Sequence, residues 1–127
     1  MSIRIYRLKN IITFLIFFFI YIINRIFKKY ISLPIIGYIC KNHLNDFIGG
    51  FLFCIYVNMI LILNNKKPIC KFYILILFML CVSLTWEYLF PLFLPYSTSD
   101  FFDVISYMLG TILYYLMFNK LNKNIIK

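Results

Sequence analysis

The sequence predicts an all-α integral membrane protein, a four-helix bundle with both termini cytoplasmic. Three observations predict it. Of 127 residues, 64% are hydrophobic and only 13% are charged, whereas a soluble domain is about half apolar and about a quarter charged. A soluble chain this short would have too little polar surface left to face water, and the same numbers exclude intrinsic disorder. Four apolar stretches each approach the roughly 20 residues that a helix needs to cross a bilayer. Finally, the thirteen Lys and Arg flank those stretches, the pattern of inner-membrane proteins rather than of nucleic-acid binders. A nucleic-acid partner is therefore excluded. The expected partner is the lipid bilayer, and the expected location is the inner (plasma) membrane, as a multi-pass protein.

The first span covers about residues 9–27. Arg4, Arg7 and Lys9 precede it in the manner of a signal peptide, but Asn24-Arg25-Ile26-Phe27-Lys28 stands where a small-residue cleavage site would be, so the span is read as uncleaved. A loop over 28–45 follows. It stays apolar and aromatic, with Pro34 and Gly37 breaking it, and suits the headgroup region. The second span is about 46–63 and the third about 71–90. Pro91 and Pro95, four apart, then argue against a continuous helix. The fourth span is about 101–118. Four such helices make residues 1–127 a single transmembrane domain, with no room for a soluble one. Residue 2 is Ser and the chain ends Ile-Ile-Lys, so no lipidation motif is visible.

Orientation follows from the cations. With four spans, both termini and the middle loop share a side, and that side holds Arg4, Arg7, Lys9, Lys66, Lys67, Lys71, Lys120, Lys123 and Lys127. The other holds Arg25, Lys28, Lys29 and Lys41. Nine against four puts the termini in the cytoplasm. The four Cys show no CxxC spacing; Cys54 and Cys81 fall inside apolar runs and read as inert buried thiols, with Cys40 set apart in a loop.

The minority charge is the more informative one. The four acids are Asp46, Glu87, Asp100 and Asp103, and the span assignment places all of them, with the only His, His43, in the outer third. Part of this is ordinary helix chemistry. Asp46, Ser99 and Asp100 are natural N-cap residues, and Asp103 suits a first turn. Glu87 does not fit that account. It stands near the C-terminal end of its span, where the helix dipole disfavours an anion, and within an apolar run, where an unpaired charge costs several kcal/mol. Ser83 lies four residues earlier on the same face. On the fourth span, Asp100, Asp103, Tyr107, Gly110, Thr111 and Tyr114 follow helical spacing as one polar and small stripe. Gly110 lets a neighbouring helix approach closely, and the simplest packing turns the stripe toward Glu87 and Asp46. Asn58, deeper in the second span, reads as an interhelical hydrogen-bond partner.

Such a cluster can hold a hard divalent cation on oxygen ligands, bind a cationic or polar substrate group, or share protons, since close carboxylates do not all ionise cheaply. The identity of any metal stays open, and no cofactor motif is evident. One His, no nucleophile elbow and no oxyanion-hole motif give poor support to nucleophilic catalysis. No catalytic residue is assigned, and whether the chain is an enzyme stays open.

Trp86-Glu87, a proline-broken stretch, Ser97-Thr98-Ser99-Asp100-Phe101-Phe102-Asp103-Val104, then Tyr107 and Gly110 resemble the C-terminal motif of VanZ-like membrane proteins. That family is named for a glycopeptide (teicoplanin) resistance protein; its members are small multi-span proteins. Glu87, Asp100, Asp103 and Gly110 match its acids and its glycine seven residues on. Phe90, Ser97, Tyr107 and Tyr114 depart from its Gln, Arg, Asn and second Gly. The resemblance implies a cell-envelope protein with an acidic outer-leaflet site and a lipid-linked or polar envelope ligand. Two other readings accompany it: a small transporter or transporter subunit working as a homo-oligomer, and a non-catalytic structural or accessory protein in which the acids only cap helices.

Overall fold

The computed structural model describes residues 2–95 and 100–126. Helix α1 (Ile3–Phe27) begins six residues earlier than its apolar run. The Ser2 hydroxyl accepts the Ile5 N–H at 3.3 Å and satisfies one of the free donors of the first turn. After a short 3₁₀ turn come α2 (Pro34–Asn42) and α3 (Leu44–Leu63). Helix α4 (Phe72–Leu84) runs through a π-turn at Thr85–Leu89 into α5 (Phe90–Phe93), and α6 (Phe101–Ile126) closes the bundle. Four helical stretches are long and apolar enough to cross a membrane: Ile3–Tyr30, Leu44–Leu63, Phe72–Phe93 and Phe101–Ile126.

Two segments depart from the sequence reading for reasons that lie in proline. Pro34 does not break its loop but starts a helix, since it occupies the first turn, where its missing N–H costs nothing. Pro91 does not end the third span at residue 90. The Phe90 N–H reaches back to the Thr85 carbonyl, a five-residue π step. That shift lets the chain carry its helical course past Pro91 to Phe93.

On α1, polarity is reversed relative to a helix of a water-soluble protein. In α1 the buried residues are Tyr6, Asn10 and Asn24, while Leu8, Ile12, Leu15 and Phe19 are exposed. Hydrocarbon accepts the apolar side chains, but polar groups must find partners within the protein. Helix α3 sits centrally against α1 and α6, and α4 packs on α6. Phe51, Cys54, Ile55, Leu75, Met79, Tyr114 and Phe118 form the core, with Phe17 stacked on Phe51 at 4.1 Å between ring centroids.

A buried polar network ties the helices together at the end that carries the termini. The Tyr6 hydroxyl donates to Asn122 Oδ1 at 2.7 Å, and Asn122 Nδ2 donates to the Tyr114 hydroxyl at 3.2 Å. Asn58 Nδ2 also donates to Tyr114, at 2.5 Å, while its Oδ1 accepts the Ile69 N–H at 2.7 Å. The start of α1 and the end of α6 therefore lie together, and Asn58 makes the interhelical bond expected of it. Cys54 is buried as expected, but Cys81 is exposed on the outer surface of its helix; all four thiols are free.

Candidate functional site

At the opposite end of the bundle, His43 is the corner between α2 and α3. Its backbone (φ −121°, ψ −21°) leaves the helix for one residue, and this break aims the imidazole at α6. Nδ1 lies 2.9 Å from Asp103 Oδ1. This hydrogen bond ties the corner of α2 and α3 to the first turn of α6. Tyr38 meets the imidazole edge-on at 5.5 Å, and Phe102 flanks it at 6.1 Å.

Asp46 follows in the first turn of α3. It does not take the N-cap position suggested by the sequence, which belongs to His43. The Asp46 carboxyl instead stands beside Asp103 and the Tyr107 hydroxyl. Asp100 does cap: its Oδ1 accepts the Phe102 N–H at 2.9 Å, and its carbonyl accepts the Asp103 N–H at 3.2 Å. Ser99, the other expected cap, lies outside the described residues, as do Ser97 and Thr98. Glu87 occupies the π-turn rather than a plain helix end and is only 6% exposed. Its Oε2 accepts the Asp100 N–H at 3.4 Å. A π-turn of this kind is frequent at functional sites. Here it places an acid from the third span against the start of the fourth.

The close crossing of α3 and α6 brings these groups together. A Cβ built on Gly110 would fall inside 3.0 Å of the Phe47 carbonyl oxygen, and one on Gly50 would meet the Tyr107 backbone just as closely. Both helices thus lack a side chain where they touch, as small residues permit in membranes. The stripe expected on α6 does face α3: Gly110, Thr111 and Tyr114 are buried, with Asp103 and Tyr107 half-buried above them.

All six residues singled out in the sequence therefore gather at one end: His43, Asp46, Glu87, Asp100, Asp103 and Tyr107. One donor atom each from His43, Asp100 and Asp103 lies within 4.8 Å of the others. Sequence reasoning missed Asn24, whose Nδ2 donates to the Cys40 carbonyl at 2.8 Å and to Asn45 Oδ1 at 2.7 Å, pinning α1 to the His43 corner. An Asn inside an otherwise apolar span was the available signal. Gly50 was missed too, although the Gly49-Gly50 pair stands two and three residues after Phe47. Beside Tyr107, an apolar cleft of about 270 Å³ opens between Gly49, Phe53, Met79 and Trp86.

Comparison with family models, with curated proteins and with solved structures gives no match. The residues at this site are accordingly the basis for a functional reading.

Proposed function

We propose that this chain is a VanZ-like integral membrane protein of the cell envelope, whose acidic site faces outward and engages a polar or cationic ligand. One observation carries the reading. Four carboxylates from three spans meet at one end, and among the described residues no Lys or Arg forms an ion pair with them; the single ion pair is His43–Asp103. Acids within spanning segments are costly unless something pairs with them. A ligand cation or ammonium group would supply the missing charge, with Asp46, Asp103 and Glu87 as acceptors and His43 and Tyr107 as hydrogen-bond partners. A polar head on a lipid-linked envelope component fits the same chemistry. The excess of cations at the other end supports outward placement of the acids.

The sole Trp, Trp86, adjoins Glu87 and serves as the reporter. Titration of the protein in nanodiscs with Ca²⁺, Mg²⁺ or a primary ammonium salt should change Trp86 fluorescence saturably. Replacing Asp103 by Asn or Glu87 by Gln should weaken the response by about tenfold, as expected for losing one charge-assisted contact. If the Asp103→Asn, Glu87→Gln double variant responds like wild type and complements a deletion equally well, the reading is wrong.

A further inference from the structure

The opposite end of the bundle carries a cleft with different chemistry. It holds about 220 Å³ and is bounded by the start of α1, the α3–α4 turn and the end of α6. Arg7, Lys66 and Lys67 line it together with Ile3, Ile62 and Ile126. Local structure explains how two lysines come to stand opposite Arg7. Helix α3 ends in a Schellman motif: the Asn65 N–H bonds the Ile62 carbonyl, and the Lys66 N–H bonds the Leu61 carbonyl at 2.7 Å. Asn65 takes the left-handed conformation this requires, φ 57°, which Asn tolerates better than most residues. The reversal turns Lys66 and Lys67 back over the helix end, and Pro68 carries the chain onward.

Three cations share this cleft, and among the described residues none of them forms an ion pair; the acids are all at the other end. All three are exposed, and like charges gathered along one concavity raise the local potential and attract an anion. The walls decide what kind of anion. Clefts along the helix flanks, such as those at Thr85–Leu94 and at Ile11–Leu63, are apolar throughout. This one joins cations to isoleucines, of which Ile3 and Ile126 are exposed and Ile62 is buried. It lies at the end of the spans, where a bilayer changes from hydrocarbon to headgroup. A phosphate against Arg7, Lys66 and Lys67 would leave acyl chains running along Ile3 and Ile126.

We propose that this cleft binds the headgroup of an anionic phospholipid. The inference is independent of the acidic site, and basic pockets between spanning helices suit such headgroups. Native mass spectrometry of protein extracted from vesicles of phosphatidylcholine and phosphatidylglycerol tests it. Wild type should retain phosphatidylglycerol preferentially. The R7Q/K66Q/K67Q variant should retain it roughly 100-fold less, and R7Q alone roughly fivefold less, on the scale of one cation near a membrane surface. R7Q carries the test should the triple variant fail to fold. The K28Q/K29Q/K41Q variant, with the same change in charge at the other end, should match wild type. An equal loss in that control, no preference in wild type, or release of the lipid by millimolar inorganic phosphate would each overturn the proposal.

Discussion

Replacing Gly110 by Ala should separate α3 from α6, and the structure sets the scale of the effect. The new methyl would fall inside 3.0 Å of the Phe47 carbonyl oxygen and close to the Phe51 backbone nitrogen at 2.9 Å. Both are main-chain atoms of a helix, so no rotamer change relieves the clash. The helices must part by on the order of 1 Å, and overpacking of this kind costs about 1–3 kcal/mol. Gly50→Ala meets the Tyr107 backbone and should cost a similar amount. Because the two glycines serve one crossing, the double variant should lose less than the sum. Gly49 supplies the control: its Cβ would stand 3.5 Å from a Tyr107 ring carbon, an ordinary contact, and Ala should there be neutral or better by up to about 1 kcal/mol of helix propensity. Thermal unfolding in detergent, followed by circular dichroism, ranks the three. If Gly110→Ala melts with Gly49→Ala and wild type, the crossing is not as close as described and the reasoning fails.

Other expectations concern single groups. Asn58→Leu leaves the Ile69 N–H without its side-chain acceptor and the Tyr114 hydroxyl with Asn122 alone, and should lower stability by about 1–2 kcal/mol in the same melt; an unchanged melting temperature would dissociate the Asn58 network from stability. Asp100→Ser preserves a capping oxygen for the Phe102 N–H and should leave unfolding within about 0.5 kcal/mol of wild type. Asp46→Ser touches no cap, so its effect should appear in the Trp86 ligand titration instead. In a background without the four native cysteines, a membrane-impermeant thiol reagent applied to intact cells should label Lys29→Cys and spare Lys67→Cys. The reverse pattern would invert the topology.

Spans were readable because hydrocarbon imposes a length and a composition on any helix that crosses it, and the same constraint made the acids conspicuous. Asp46, Glu87, Asp100 and Asp103 could be placed at one end from span boundaries alone. Their roles were less legible. Whether Asp46 caps α3 depends on where the preceding helix stops, and α2 runs on to Asn42, which hands the corner to His43. The course of the third span past Pro91 depends on a π step that no local pattern announces. The Tyr6–Asn122–Tyr114–Asn58 network joins residues up to 116 apart in sequence, and only the packed bundle reveals which polar side chains find each other.

Asn24, Asn58 and Asn122 show why buried amides matter for placing the helices. Each is 6% exposed or less, in a chain whose exposed surface is dominated by Ile, Leu and Phe. Inside a bilayer, apolar contact between helices gains little over contact with lipid, so position must be specified by hydrogen bonds and by close fit. Asn58 and Asn122 bind the basic end, and Asn24 binds α1 to the His43 corner. Between them, Gly50 and Gly110 set the distance between α3 and α6. The acids follow from that crossing: Tyr107 and Gly110, about one and two turns after Asp103, meet Gly50 and Phe47 of α3, which brings Asp46 beside Asp103 and Tyr107. A change that spreads the crossing should therefore weaken ligand response and stability together, whereas a change at Asn122 should lower stability and leave the acidic end responsive.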